Sequence, residues 1–180
     1  MTKRFFSLGC FIALFTLTAF FARAETKLPS ILGSHMVLQQ GEACPIWGWD
    51  DAGTEVTVSF AGQTHTAKAG KDGRWQVSLT AMKANAKAAT LTVKGSSTVK
   101  LEDVLVGEVW LCSGQSNMEW RVVQSANSKE EIANANHPLI RHIKIPHKLS
   151  SKPQDNVPAS GWQPCTPKVV ANFTAVGYYF

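Results

Sequence analysis

The chain lacks the spacings that hold structural metals. Four cysteines and five histidines are present, yet no C-x-x-C or His-x-x-x-His occurs, so no structural zinc is expected. It lacks a Lys/Arg cluster interleaved with aromatics, and this argues against a nucleic-acid partner. There is no internal repeat. No apolar run reaches bilayer length: the longest, Phe5 to Phe21, has about 17 residues against the ~20 a helix needs to cross. That run comes after Lys3 and Arg4 and ends at Ala22-Arg23-Ala24, the small-residue pattern of a cleaved leader. Residues 1–24 therefore read as a signal peptide, with no stable membrane anchor after cleavage and an exported product, periplasmic or secreted. The rival reading is an uncleaved anchor. Cys10 sits behind too short an apolar stretch for a lipoprotein and leaves with the leader.

Without the leader the composition changes. The whole chain carries +5, and loss of Lys3, Arg4 and Arg23 lowers this to +2, so the basic balance belongs largely to the leader. About 156 residues remain, enough for one medium domain or two small ones. Three cysteines remain: Cys44, Cys112 and Cys165. An odd number leaves at least one unpaired. Cys112 lies in the most apolar stretch and is expected as a buried thiol; a Cys44–Cys165 bridge is allowed but not required.

Residues 25–101 read as short strands and turns, a small antiparallel β domain. Val56, Val58 and Phe60 alternate with polar residues, as do Trp75, Val77 and Leu79. Ala61-Gly62 marks a turn, and Lys71-Asp72-Gly73-Arg74 has the Asp-Gly signature of a hairpin. Ala81–Ala89, rich in Ala and Lys, is expected as at most a helical turn. Residues 102–180 differ. Val104–Val106 and Val109–Cys112 are continuously apolar, which suits interior strands of a parallel sheet. A helix is expected over 117–135 with a break at Ala126-Asn127-Ser128, a strand over Ile140–Ile145, a turn at His137-Pro138 and a polar loop over 150–167. The spacing of Phe173, Val176, Gly177 and Phe180 predicts a closing helix.

One group stands out: Ser113-Gly114-Gln115-Ser116-Asn117-Met118, directly after the apolar run. Ser116-x-x-Glu119 fits a capping box, in which the Ser hydroxyl and the Glu carboxylate each satisfy a backbone N–H. The other reading is a nucleophile. A catalytic serine projects from a tight strand-to-helix turn, where free N–H groups can hold an oxyanion. Gly114 permits that turn. The group is not the Gly-x-Ser-x-Gly elbow, because Met118 replaces the second glycine.

The block Val106-Gly107-Glu108-Val109-Trp110-Leu111-Cys112-Ser113-Gly114-Gln115-Ser116-Asn117-Met118-Glu119-Trp120 resembles the nucleophile block of the sialate O-acetylesterase family, a branch of the SGNH (GDSL-like) serine hydrolases. His35–Gln40, Pro45–Gln63, Asp72–Leu79 and Phe173–Phe180 resemble further stretches of that family. The resemblance implies an α/β fold: an antiparallel β domain over 25–101, then a three-layer α/β/α SGNH hydrolase (flavodoxin-like) domain, incomplete over 102–180. It implies an acetylated carbohydrate as substrate, sialic acid or acetylated xylan both fitting, and no cofactor. Ser116 would be the nucleophile and its N–H one oxyanion donor; Gln115 and Asn117 would shape the turn. The family's Asp, His and remaining donors lie in later blocks, and no residue here matches them, so the expectation is of an N-terminal fragment that is a poor catalyst alone. None of His35, His65, His137, His142 or His147 has an Asp-x-x-His context. Trp47 and Trp49 read as core or interface residues before sugar-stacking ones. Asn172-Phe173-Thr174 has the form of a glycosylation acceptor, with nothing to activate that reading. A second hypothesis stays open: a non-catalytic sugar-binding or interaction module carrying an inactive hydrolase remnant.

Overall fold

The computed structural model describes residues 25–180; the leader expected over 1–24, with Cys10, lies outside the described residues. The architecture is a sheet-dominated α/β arrangement. Seven strands come first: β1 (Val37–Gln39), β2 (Cys44–Trp49), β3 (Glu55–Phe60), β4 (Gln63–Lys68), β5 (Arg74–Leu79), β6 (Asn85–Lys94) and β7 (Thr98–Gly107). Five form one sheet in the order β1-β7-β6-β3-β4, while β2 and β5 pair separately. Period two decides which faces meet. Val56, Val58 and Phe60 of β3 and Trp75, Val77 and Leu79 of β5 enter one core with Ile46, Leu91 and Val93.

Two turns differ from each other in what they join. Ala61 and Gly62 both take positive φ, 47° and 80°, and close the β3–β4 hairpin as expected. The Asp72-Gly73 turn also forms, but it does not join a hairpin: β4 and β5 lie in different sheets, so it carries the chain from one to the other. Ala81–Ala89 makes no helical turn. Asn85–Ala89 is extended in β6, where pairing with β7 overrides an Ala/Lys preference that has no apolar face to bury.

β7 runs across the 101/102 boundary and ends only at Gly107. Asp103 takes φ 56°, and this irregularity shifts the inward phase from Leu101 to Val104 and Val106. The expected parallel pairing of Val104–Val106 exists, but the partner is β1, with Leu105 opposite Val37; β6 on the other side is antiparallel. Val109–Cys112 is not a strand. Leu111 is 90% exposed and Cys112 is exposed, correcting the expected buried thiol. No strand lies beside this stretch among the described residues, and an apolar run without a neighbouring strand gains no ladder.

The rest packs around a small core of Val122, Ala135, Cys165, Val170 and Ala175. Its elements are α1 (Ser116–Glu119), a 3-10 turn (Val122–Gln124), α2 (Ser128–Asn134), β8 (His137–His142), β9 (Gln163–Cys165), α3 (Pro167–Val170) and α4 (Ala175–Tyr179). The helical stretch expected over 117–135 is three pieces; Asn127, at φ 54°, makes the break expected at Ala126-Asn127-Ser128, and a further break falls between Glu119 and Val122. His137-Pro138 opens β8 rather than a turn, and β8 pairs antiparallel with β9 instead of lying inside a parallel sheet. Ile143–Ile145 lies beyond the strand. No Cys44–Cys165 bridge forms: both thiols are free and buried, each in a different core, and burial raises both above the ordinary thiol range.

Polar contacts hold the elements of the second half to the β unit. The Arg141 guanidinium, 5% exposed, donates twice to the Asp103 carboxylate, at 2.6 and 3.1 Å, and also to the backbone oxygens of His35 and Asp103. His35 Nδ1 lies 2.6 Å from the same carboxylate, which these partners hold below its ordinary pKa, the Arg141 bonds most of all. The segment between β8 and β9 forms a strap across the β unit. Asp155 accepts from Arg74 at 2.9 Å, Asn156 Oδ1 from the Ser30 N–H at 2.9 Å, and the Ile31 carbonyl from the Trp162 indole at 2.8 Å.

Candidate functional site

The segment from Glu108 to Trp120 leaves the end of β7 and carries every residue singled out around Ser116. Two glutamines of the β1 region hold its start. Gln39 Oε1 accepts from the Val109 N–H at 2.8 Å, and Gln39 Nε2 donates to Glu108 at 3.0 Å. Gln40 Nε2 donates to the other Glu108 oxygen, and the Gln40 N–H binds the Gly107 carbonyl at 2.8 Å. The two amides hold the Glu108 carboxyl below its ordinary pKa, Gln39 contributing most.

Farther along, α4 flanks the segment. Trp110 meets Phe180 edge-to-face at 4.9 Å. A Cβ on Gly177 would stand 2.8 Å from Cys112 Sγ and from Thr174 Cγ2, so a larger residue there would have to push those side chains aside. The Ala175 N–H donates to the Trp120 carbonyl at 2.7 Å, and Val122 and Val123 donate to Phe173 and Ala171. The expected closing helix is thereby shortened to Ala175–Tyr179, since Phe173 is engaged in this pairing.

Gly114 has φ 156°, and Gln115, Ser116 and Asn117 come next, all exposed. Ser116 is not the cap of α1. Gln115 occupies that position, extended at φ −109°, and Ser116 is the first helical residue, so no capping box forms. Its hydroxyl makes no hydrogen bond among the described residues. The Met118 N–H is taken by the Gln115 carbonyl at 2.9 Å, whereas Ser116 and Asn117 N–H stand at the head of the helix, where no preceding turn offers them a carbonyl. Glu119 does not return to Ser116; its Oε1 lies 3.1 Å from His147 Nε2 on the surface.

The other histidines are engaged elsewhere. His35 belongs to the Asp103–Arg141 group. His65 sits on β4 beside Gln63 Oε1 at 3.1 Å, and His137 lies 6.4 Å from the Tyr178 ring. His142 stacks on Phe173 at 3.7 Å, and burial pushes its pKa down to about 4, with Nε2 buried and unpartnered. It is neutral at pH 7. Trp47 and Trp49 lie half-buried on the β2 face opposite Ile46, so neither is a core residue; Trp75 is. Asn172 Oδ1 accepts from Arg121 at 3.2 Å. No group of three or more His, Cys, Asp or Glu side chains among the described residues is placed to hold a metal ion.

The structure thus brings Gln115, Ser116 and Asn117 together at one exposed turn, and sets Glu119 of the same short helix beside His147. Sequence reasoning missed the roles of Gln39, Gln40 and Glu108. The adjacent glutamines in His35–Gln40 were a signal, but nothing in the sequence places them beside a residue some 70 positions later.

No family model matches the chain. Over 118 residues it is 36% identical to the sialate O-acetylesterase of Rattus norvegicus, covering 59% of this chain and 22% of that protein. It is 37% identical over 120 residues to the sialate O-acetylesterase of Homo sapiens, covering 60% and 23%. The crystal structure of a carbohydrate acetylesterase from Xanthomonas citri superposes with a TM-score of 0.83 at 38% identity, covering 86% of this chain and 36% of that one. The resemblance drawn from the serine block thus holds, and the chain spans less than a quarter of the length of the curated relatives it matches.

Proposed function

We propose that this chain carries the nucleophile of an exported carbohydrate O-acetylesterase. Ser116 Oγ attacks the acetyl carbonyl while a base removes its proton. The sugar leaves as its alcohol, taking up a proton, and an acetyl-Ser116 ester remains. Water then attacks that ester, releasing acetate and restoring the hydroxyl. The Ser116 N–H donates to the oxyanion of each tetrahedral state, and Gln115 and Asn117 shape the turn that aims both groups. In this reading residues 102–180 contribute to a three-layer α/β/α SGNH domain, 25–101 form the β domain ahead of it, and 1–24 are a leader removed on export. The base and the remaining oxyanion donors are assigned to no residue here, as the resemblance implies. His142 suits the task poorly, since an imidazole with pKa about 4 binds a proton weakly at pH 7.

The observation that carries the proposal is an exposed Ser116 at the head of α1, within Gly-Gln-Ser-Asn-Met, its hydroxyl engaged by no cap. Similarity to a carbohydrate acetylesterase at a TM-score of 0.83 supports it. The test is Ser116→Ala in the whole protein, assayed on p-nitrophenyl acetate and on acetylated sugars. Loss of a nucleophile removes about 10⁶-fold in rate. An exposed hydroxyl without partners contributes within about 0.5 kcal/mol to stability, so the melting temperature should hold. Retained turnover in the alanine variant would remove Ser116 from the mechanism. For the leader, N-terminal sequencing of the exported protein should start at Glu25; a product that retains Phe5–Phe21 would mean an anchor.

The non-catalytic module is a second reading, favoured by one observation: the β unit has a core of its own, separate from the smaller one. Sugar binding by a protein whose wild type and alanine variant are equally inert would decide for it.

A further inference from the structure

The assignment of Ser116 leaves open what fixes its location, because the segment that carries it has no strand beside it among the described residues. Farther along it meets α4, through Trp110 on Phe180 and the Trp120 carbonyl on the Ala175 N–H, while its start is held by side-chain amides. Gly107 is the last residue of β7, paired with Gln39 of β1. One residue later, Glu108 receives an amide from each of Gln39 and Gln40, and the Val109 N–H is bound by Gln39 Oε1 at 2.8 Å. Gln40 Oε1 in turn accepts from the Ala84 N–H at 3.2 Å, tying the clamp to the approach to β6. Every donor and acceptor of the two side-chain amides named here is thus complementary: two N–H groups face a carboxylate, and two oxygens face backbone N–H groups. β1 has only three residues, and Gln39 at its end with Gln40 just beyond it grips the start of the Ser116 segment.

We propose that Gln39 and Gln40, acting through Glu108 and Val109, are positioning residues that set the direction in which the Ser116 segment leaves the β unit. They touch no reacting atom. They act on catalysis by fixing the origin of a seven-residue run, Val109–Gln115, whose far end must meet the acetyl carbonyl; a displacement of about 1 Å at such a distance from the chemistry is enough for a hundredfold loss. The proposal rests on Ser116 being the nucleophile.

The complementarity can be inverted, which supplies a rescue test. Gln39→Glu keeps an acceptor for Val109 but sets a second carboxylate against Glu108. Glu108→Gln in the same chain restores a donor facing residue 39 and keeps an acceptor for Gln40. In the whole protein, the four forms (parent, Q39E, E108Q and Q39E/E108Q) are compared by thermal melting, by the rate of Ser116 labelling with a fluorophosphonate, and by kcat and KM on p-nitrophenyl acetate. Q39E should lose about ten- to a hundredfold in labelling rate and kcat with KM within about threefold, and the double variant should recover most of it. Equal labelling of parent and Q39E, no recovery in the double variant, or a loss accounted for by the unfolded fraction at the assay temperature would each overturn the proposal. A parent that labels no faster than Ser116→Ala would overturn the nucleophile assignment itself, and the positioning role with it.

Discussion

Asp103→Asn should weaken the junction between the two halves by an amount the contacts define. The carboxylate accepts from Arg141 Nη1 and Nη2 at 2.6 and 3.1 Å and faces His35 Nδ1 at 2.6 Å. Asparagine has nearly the same shape and tolerates the left-handed φ of 56° that Asp103 adopts, so this substitution isolates the charge. It leaves a guanidinium that is 5% exposed facing an amide. Breaking a fully buried pair from one side costs about 3–5 kcal/mol. The Asp103 side chain is 34% exposed, so water replaces part of what is lost, and about 2 kcal/mol is the expected cost. For a chain of this size that is roughly 4–8 °C in melting temperature. Asp103→Ala should cost about 1 kcal/mol more, because alanine is strained in the left-handed region. The assay is urea unfolding monitored by tryptophan fluorescence at several pH values. The folded carboxyl lies below its ordinary value of 3.8, so its contribution is complete above that pH and disappears as pH falls through the lower folded value. The gap between parent and Asn variant should therefore close in acid. A gap under about 0.5 kcal/mol at pH 7, or one that persists after Asp103 is protonated, would refute the reasoning.

His142 should add a second acid sensitivity at higher pH. Its pKa falls from 6.5 unfolded to about 4 folded, so stability is full above 6.5 and declines as pH drops toward 4; His142→Phe, which keeps a ring on Phe173, should flatten urea midpoints over that window. In the β3–β4 turn, Ala61→Asn places a residue tolerant of positive φ before Gly62 and should raise the melting temperature by about 2–4 °C; a fall would show that the turn is not strained by Ala61.

Much of the β unit was legible because its strands have one wet face. Val56, Val58 and Phe60, and Trp75, Val77 and Leu79, announce their direction by alternation alone. Pairing was not legible: the Asp72-Gly73 turn has a hairpin's sequence but joins different sheets, since local chemistry fixes a turn and not the partner of the next strand. Val109–Cys112 misled for a related reason. Continuous apolarity states what a stretch can bury, and only neighbouring chain decides whether it does. Ser116 stood out through its motif, while its escape from the capping box depended on the conformation of Gln115, one residue earlier. The Gln39–Gln40–Glu108 clamp and the Arg141 junction were invisible, because each joins polar residues across more than 35 positions and leaves no periodic trace.

The strap between β8 and β9 imposes an order in time. Asn156 and Trp162 grip Ser30 and Ile31, residues that leave the ribosome 126 and 131 positions earlier. At the usual 5–20 residues per second, roughly 6–26 s separate the two ends of those hydrogen bonds. The β unit needs nothing beyond Gly107 to complete its seven strands, yet Trp162, which packs against its core, arrives last. For that interval the nascent unit has its strands in hand and its seal still missing.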